Sequence, residues 1–337
     1  MNTIPTIFNE KVIPYTAVGG KERIASTGIS AVILNRPGFA RRTIFHDIEK
    51  TGFDNVISIE SSAPHYEIEE LSGRFPFVRF ILPENKINLG EQINLAASEI
   101  ESPLFFTLRS DMKIIAGGTA RRMAERLSIN TDENDESIHI TGEKNIGFKR
   151  LCTVPIIINS DFEVLPSLVA PLTQRKKMKT VYIEPRSEGD LSLYPFDGIG
   201  IYDRQRFIHL GGFDTTLSKT HWQLMDFGFR AHLWGEEIAL NAQLKLSYDG
   251  EILSENSTAE ESYRQFYLKN LAPVYRSDYA HLPLYRFPGF LCKAGEDLFS
   301  AWNDFKNVRK WVIKNKFRWK KDARAVTNRW DASVLGV

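Results

Sequence analysis

Between residues 29 and 111, short apolar runs alternate with amphipathic segments, and this alternation constrains the fold more than any other feature of the chain. The run ISAVILN (29–35) has the length and composition of a buried strand. RPGFARRTIFHDIEKTGF (36–53) then reads as a turn and a helix that closes at Gly52. The pattern repeats with strand NVISIES (55–61), helix YEIEELSG (66–73), strand FVRFILP (77–83), helix GEQINLAASEI (90–100) and strand LFFTL (104–108). Strands separated by helices of this length pair in parallel, so the spacing predicts an α/β fold with a mainly parallel central sheet covered by helices.

The last of these strands ends by presenting Arg109 and Asp111 two residues apart, on the same side of an extended chain. Such a pair is either a surface ion pair at a strand end or part of a ligand site at the carboxyl edge of the sheet. Beyond it the pattern is less regular. TARRMAERL (119–127) is helical, NTDENDES (130–137) is a polar loop, and IHIT, TVPIIIN and TVYIE read as strands. A helix holds Asp226 and Arg230 four residues apart, a spacing that also suits a simple stabilising pair. IALNAQLKLSY (238–248) returns as a strand. The chain divides into a lead-in without a period (1–28), an α/β domain (29–250) with halves at 29–115 and 116–250, and a helical extension (251–337).

Composition narrows the function. Forty-three Lys and Arg against 42 Asp and Glu give a net charge of +1, so no global field points to nucleic acid, and none is expected as a partner. Cys152 and Cys292 are the only cysteines, too far apart for a zinc site or a disulfide framework, which fits a reducing compartment. No window has the pattern of a secretory leader or a membrane span, so the chain is read as cytoplasmic. The seven histidines lack metalloprotease spacing, and Gly198 and Gly200 lack the third glycine of a dinucleotide fingerprint.

Several ordered pieces resemble the nucleotide-sugar-dependent glycosyltransferases of the GT-A type, family 2 in particular. These are LNRP with Asn35 and Arg36, Glu60 at the end of the second strand, NLGEQINLA with Asn88, Gly90 and Asn94, FFTLRSDM with Arg109 and Asp111, and LGGFD with Gly211 and Gly212. The resemblance implies a GT-A-like fold, and donor contacts from Asn35, Arg36, Glu60, Asn88, Gly90, Asn94, Arg109 and Asp111. It also implies an acceptor side that includes Gly211, Gly212, His221 and Trp222. Relatives carry Asp-x-Asp where this chain reads Arg109-Ser110-Asp111, and a His where it reads Tyr248-Asp249. A divalent Mn or Mg centre would therefore rest on Asp111, with the Arg109 guanidinium repelling the ion while supplying fixed positive charge for a diphosphate.

The general base of the inverting members falls in HWQLMDFGFRAHLWG (221–235), where two alignments compete. One makes Asp226 the base. The other matches Arg230 and Gly235 to the family and puts Leu224 at the base position. On the first, the resemblance implies inverting transfer from a nucleotide sugar to a glycan or lipid-linked acceptor in surface polysaccharide synthesis, with Asp226 and Arg109 as catalytic residues. A reading in another class is a non-catalytic relative that binds nucleotide sugar or glycan, or scaffolds an assembly. The two part on whether Asp226 faces Asp111 across a cleft or stays paired with Arg230. Residues 305–330 interleave bases with Phe305, Trp311, Phe317, Trp319 and Trp330. This composition fits peripheral contact with the inner face of a membrane, a terminal helix packed on its domain, or single-stranded nucleic acid.

Overall fold

The computed structural model describes residues 12–20, 26–35, 42–60, 65–116, 120–129, 150–174, 177–248, 250, 261–294 and 298–330. Its first part follows the alternation in the sequence. Strand β1 (Tyr15–Gly19) precedes β2 (Ile29–Leu34), α1 (Arg42–Thr51), β3 (Val56–Ile59), α2 (His65–Arg74), β4 (Val78–Pro83), α3 (Leu89–Glu99) and β5 (Leu104–Arg109). Then come β6 (Lys113–Ala116), α4 (Ala120–Ile129), β7 (Cys152–Ile158), β8 (Leu168–Gln174), β9 (Lys177–Ile183), β10 (Gly200–Asp203), α5 (Arg204–Leu210), α6 (Thr220–Leu233) and β11 (Ile238–Ser247). The chain continues through α7 (Glu261–Phe266), a π-helical turn Tyr267–Leu271, the hairpin β12 (Val274–Arg276) and β13 (Tyr279–His281), α8 (Arg286–Ala294), α9 (Leu298–Asn315) and α10 (Ala323–Thr327).

Among the described residues, nine strands form one mixed sheet in the order β1-β4-β3-β2-β5-β10-β7-β11-β6. β4, β3, β2 and β5 are parallel neighbours, and β7 and β11 run the same way, while β1, β10 and β6 run against them. The chain steps outward from β2 to β3 and β4, then returns through α3 to place β5 on the other side of β2. The topological switch point therefore lies between β2 and β5, where open α/β sheets leave a crevice beyond the strand ends. Every residue of β2 is buried. Val32 and Leu34 join the core that holds Ile93 and Ala96 of α3, while Ala31 and Ile33 join Phe45 and Ile48 of α1, so helices cover both faces.

Two sequence expectations change, and a further strand joins the sheet. The stretch before Gly28 is not a bare lead-in, because β1 pairs antiparallel with β4 along its full length and covers that edge. The DGIGIYD segment supplies β10, which inserts antiparallel between β5 and β7. Gly200 is required there by contact: a Cβ would lie 2.6 Å from the Cys152 thiol and 3.0 Å from the Thr153 carbonyl. The helical extension shares the domain's core, with Phe266, Phe305, Val312, Trp319 and Trp330 in the same cluster as Met225 and Phe229 of α6. Within 305–330, the aromatics proposed to meet a membrane thus include Phe305, Trp319 and Trp330, all buried against the domain. The IHIT and NTDENDES segments lie outside the described residues.

Candidate nucleotide site and acceptor side

The carboxyl ends of β2 and β3 bring Asn35 and Glu60 together, as expected from their strand-end positions. The Asn35 amide nitrogen lies 2.9 Å from Ser58 Oγ, 2.9 Å from the Ile59 carbonyl and 2.8 Å from Glu60 Oε1. Ser58 donates to the same Glu60 oxygen at 2.8 Å. This fixes a buried carboxylate at the edge of the sheet, while the Asn35 carbonyl oxygen is buried with no partner among the described residues. An acceptor left in this state is suited to a donor group on a ligand. Arg36 lies outside the described residues.

Across the switch point, Arg109 stands level with Leu34 in the β2–β5 ladder. Its guanidinium meets both carboxylate oxygens of Asp197, Nε to Oδ2 at 2.8 Å and Nη2 to Oδ1 at 2.5 Å. Asp197 reaches it from a tight turn in which it adopts a left-handed φ of 50° and Gly198 one of 73°. The Gly198 carbonyl is held by Thr107 of β5, so the turn is tied to the strand that carries Arg109. Asp111 sits in the following turn, partly exposed. The Asp-Gly dipeptide marks this turn in the sequence, but nothing local links Asp197 to a strand 88 residues earlier.

A divalent cation does not fit the donor set at this edge. Asp111 has the Arg109 cation two residues away, Asp197 is already paired with Arg109, and no group of three His, Cys, Asp or Glu able to hold a metal occurs among the described residues. Hard divalent ions need several oxygen ligands at once. Asp249, at the third family position, lies outside the described residues.

Asn88, Gly90 and Asn94, expected at the donor, spend their polar groups inside the fold instead. Asn88 caps α3 in a reciprocal capping box with Glu91. Gly90 donates its N–H to Gln223 of α6 at 3.1 Å. Asn94 grips the Phe213 backbone with two hydrogen bonds of 2.9 Å, one to its carbonyl and one from its N–H. These residues dock α3 onto the Gly-Gly-Phe-Asp loop, and a Cβ at Gly90 would come within 2.8 Å of Phe213 Cβ.

The acceptor-side expectation for Asp226 is also corrected. Asp226 is 0% exposed and lies at the centre of a charged network. Arg230 reaches Oδ2 through Nη2 at 2.7 Å and Nε at 3.1 Å, Asn270 donates to Oδ1 at 2.8 Å, and Lys269 Nζ stands 3.0 Å from the same oxygen. Burial alone would raise its pKa, but Lys269 and Arg230 hold it below the ordinary carboxylate value. A carboxylate enclosed in this way, with both oxygens already bonded, is out of reach of an acceptor hydroxyl. Arg230 also donates to the carbonyls of Leu210 at 2.6 Å and Gly212 at 2.8 Å, and Lys269 binds Asp214 at 2.6 Å. Gly211 and Gly212, with φ of 92° and 63°, form the turn that this clamp grips. The geometry fits the alignment on Arg230 and Gly235, in which the base position is Leu224, buried and apolar. His221 and Trp222 are buried as well, Trp222 packing on Tyr263 and Phe266. Lys269 and Asn270 left no sequence signal, because they arrive from a π-helical turn about 40 residues later.

A cleft of about 860 Å³ opens between the 211–216 loop and α9, lined by Asp214, Thr216, Lys269, Trp311 and Arg318 among others. None of Asn35, Glu60, Arg109, Asp111 or Asp226 lines it.

No protein-family profile matches the chain, and no curated protein sequence does. Among solved structures, the chain is similar to GalNAc-T7 solved with UDP, GalNAc and Mn²⁺, with a TM-score of 0.54 and 12% identity over 85% of this chain and 56% of that one. The chain thus spans little more than half of that protein's length. S. aureus TarS 1–349 matches with a TM-score of 0.44 and 11% identity, over 85% of this chain and 73% of that one. The same protein in complex with UDP matches with a TM-score of 0.43 and 11% identity, over 83% and 70%. The fold is that of the GT-A-type glycosyltransferases.

Proposed function

We propose that the chain binds a nucleotide sugar at the switch point between β2 and β5 and transfers the sugar to a glycan or lipid-linked acceptor, as in surface polysaccharide synthesis. The observation that carries this reading is the cluster of Asn35, Ser58 and Glu60, held by hydrogen bonds of 2.8 to 2.9 Å one strand away from Arg109. Glu60 accepts from a base N–H or a ribose hydroxyl, and the Asn35 carbonyl accepts a second donor. Arg109 faces the diphosphate, whose charge grows as the sugar departs. Asp197 neutralises Arg109 in the resting protein, so the diphosphate displaces Asp197 to reach the guanidinium. The proton of the acceptor hydroxyl does not pass to Asp226, and the inverting displacement that the resemblance implies requires another base.

The second reading, binding without turnover, is favoured by Leu224 at the base position and by the enclosure of Asp226. One experiment separates them. Nucleoside diphosphate release from a panel of nucleotide sugars is measured with Mn²⁺, with Mg²⁺ and with chelator, alongside donor binding by calorimetry. Release that persists in chelator supports transfer with Arg109 in place of a metal. Binding without release under any condition supports the non-catalytic reading, and absence of both overturns the donor site.

A further inference from the structure

Eight of the twelve large apolar side chains exposed among the described residues fall between Tyr279 and Phe317. Four of them lie on α9 and two in the turn before α8, with Tyr279 of β13 and Phe317 just past α9 flanking them. Phe287 of α8 packs on Trp302 of α9 at 4.9 Å between ring centroids, and Leu284 and Tyr285 in the turn before α8 are exposed.

At 100° per residue, α9 has two faces. Ala301, Phe305, Val308, Val312 and Asn315 are buried on one. The opposite arc carries Leu298, Phe299, Trp302 and Ile313, exposed by 61%, 83%, 43% and 49%. The exposed Lys306, Lys310 and Lys314 share this arc. A face that merely met water would be polar and mixed in sign. No described acid of α9 lies on the arc, since Asp304 sits toward Glu261 and Arg264, half-buried. No helix among the described residues is long and apolar enough to cross a membrane. A helix of 18 residues with large apolar groups and lysines on one face instead suits the plane of a membrane surface.

We infer that the outward face of α9, with the turn before α8, docks on an anionic phospholipid bilayer, Phe299, Trp302 and Ile313 entering the acyl boundary and the lysines meeting headgroup phosphates. Charge selects this occupant. A second copy related by two-fold symmetry would set lysine against lysine, whereas an anionic headgroup layer complements them. The surface overlaps the 305–330 stretch marked in the sequence only through Lys306, Lys310, Ile313 and Lys314, because Phe305, Trp319 and Trp330 point inward and Leu284, Tyr285, Leu298, Phe299 and Trp302 precede it. The inference does not depend on the donor site.

The test is co-sedimentation of the full chain, without nucleotide sugar, with vesicles of equal parts phosphatidylglycerol and phosphatidylcholine, and with phosphatidylcholine alone. Partitioning onto the anionic vesicles only is expected, falling as salt rises. Lys306→Glu and Lys310→Glu each weaken it by about fivefold or more. Phe299→Ser weakens it as well, while Phe162→Ser, exposed elsewhere, leaves it unchanged. The inference is overturned by failure of the wild type to partition, by equal partitioning onto both vesicles, by indifference to all the α9 substitutions, or by a dimer that Phe299→Ser dissolves without any vesicle binding.

Discussion

At the residue scale, Asp226 ties three segments of chain together. Through Arg230 it holds the Gly-Gly turn, and through Lys269 and Asn270 it anchors the helical extension to α6. Asp226→Asn leaves two buried cations short of a counter-charge, a defect that costs about 3 kcal/mol or more. Urea denaturation should show this loss directly, in contrast to the near-native stability expected when a catalytic base on an open cleft is replaced. His232 gives a pH-dependent counterpart. Burial pushes its pKa down to about 4, and Nε2 is 2.9 Å from the Ser192 carbonyl while Nδ1 faces Arg329. The neutral ring is the folded form, so its contribution is complete above pH ~6.5 and is lost as pH falls toward 4, by up to ~3 kcal/mol. Asp226, with its lowered pKa, contributes above its ordinary value and loses that contribution only at lower pH. Stability measured from pH 7 to 4 should therefore fall less steeply in His232→Gln than in the wild type.

At the scale of elements, the docking of α3 on the 211–214 loop is the joint that the sequence misrepresents. Asn94 and Gly90 resemble donor ligands only because the family element and a helix-docking surface use the same residue types. Gly90→Ala is expected to cost about 1 to 3 kcal/mol by overpacking against Phe213, and Asn94→Ala about 2 kcal/mol by stranding two backbone groups. Thermal melts of the two variants check both. The alternation of strands and helices made β2 through β5 legible, because each signal is local and periodic. β1, β6 and β10 were not placed, since runs of four or five residues carry too little pattern to reveal distant partners. The strand-end positions of Asn35 and Glu60 were legible for a related reason: a polar residue closing a buried strand has its position fixed by that strand. The partner of Arg109 was not, because Asp197 arrives through a crossover that only the assembled sheet defines.

At the scale of the whole molecule, the sheet edge between β2 and β5 and the basic apolar face of α9 are separate surfaces on one body of near-neutral net charge, +1. On the proposed function, a diphosphate competes with Asp197 for Arg109 at that edge. Asp197→Asn keeps a side chain that tolerates the left-handed turn and releases the guanidinium. Nucleoside diphosphate affinity should rise severalfold in that variant and fall in Arg109→Ala, as read by calorimetry. The most direct measurement of the account is titration of uridine and guanosine diphosphates into the wild type and Glu60→Gln. Saturable binding that weakens by about tenfold or more in Glu60→Gln is the expected result, since a charge-assisted hydrogen bond is lost. Absence of binding by the wild type, or binding indifferent to Glu60, would contradict a nucleotide site between β2 and β5.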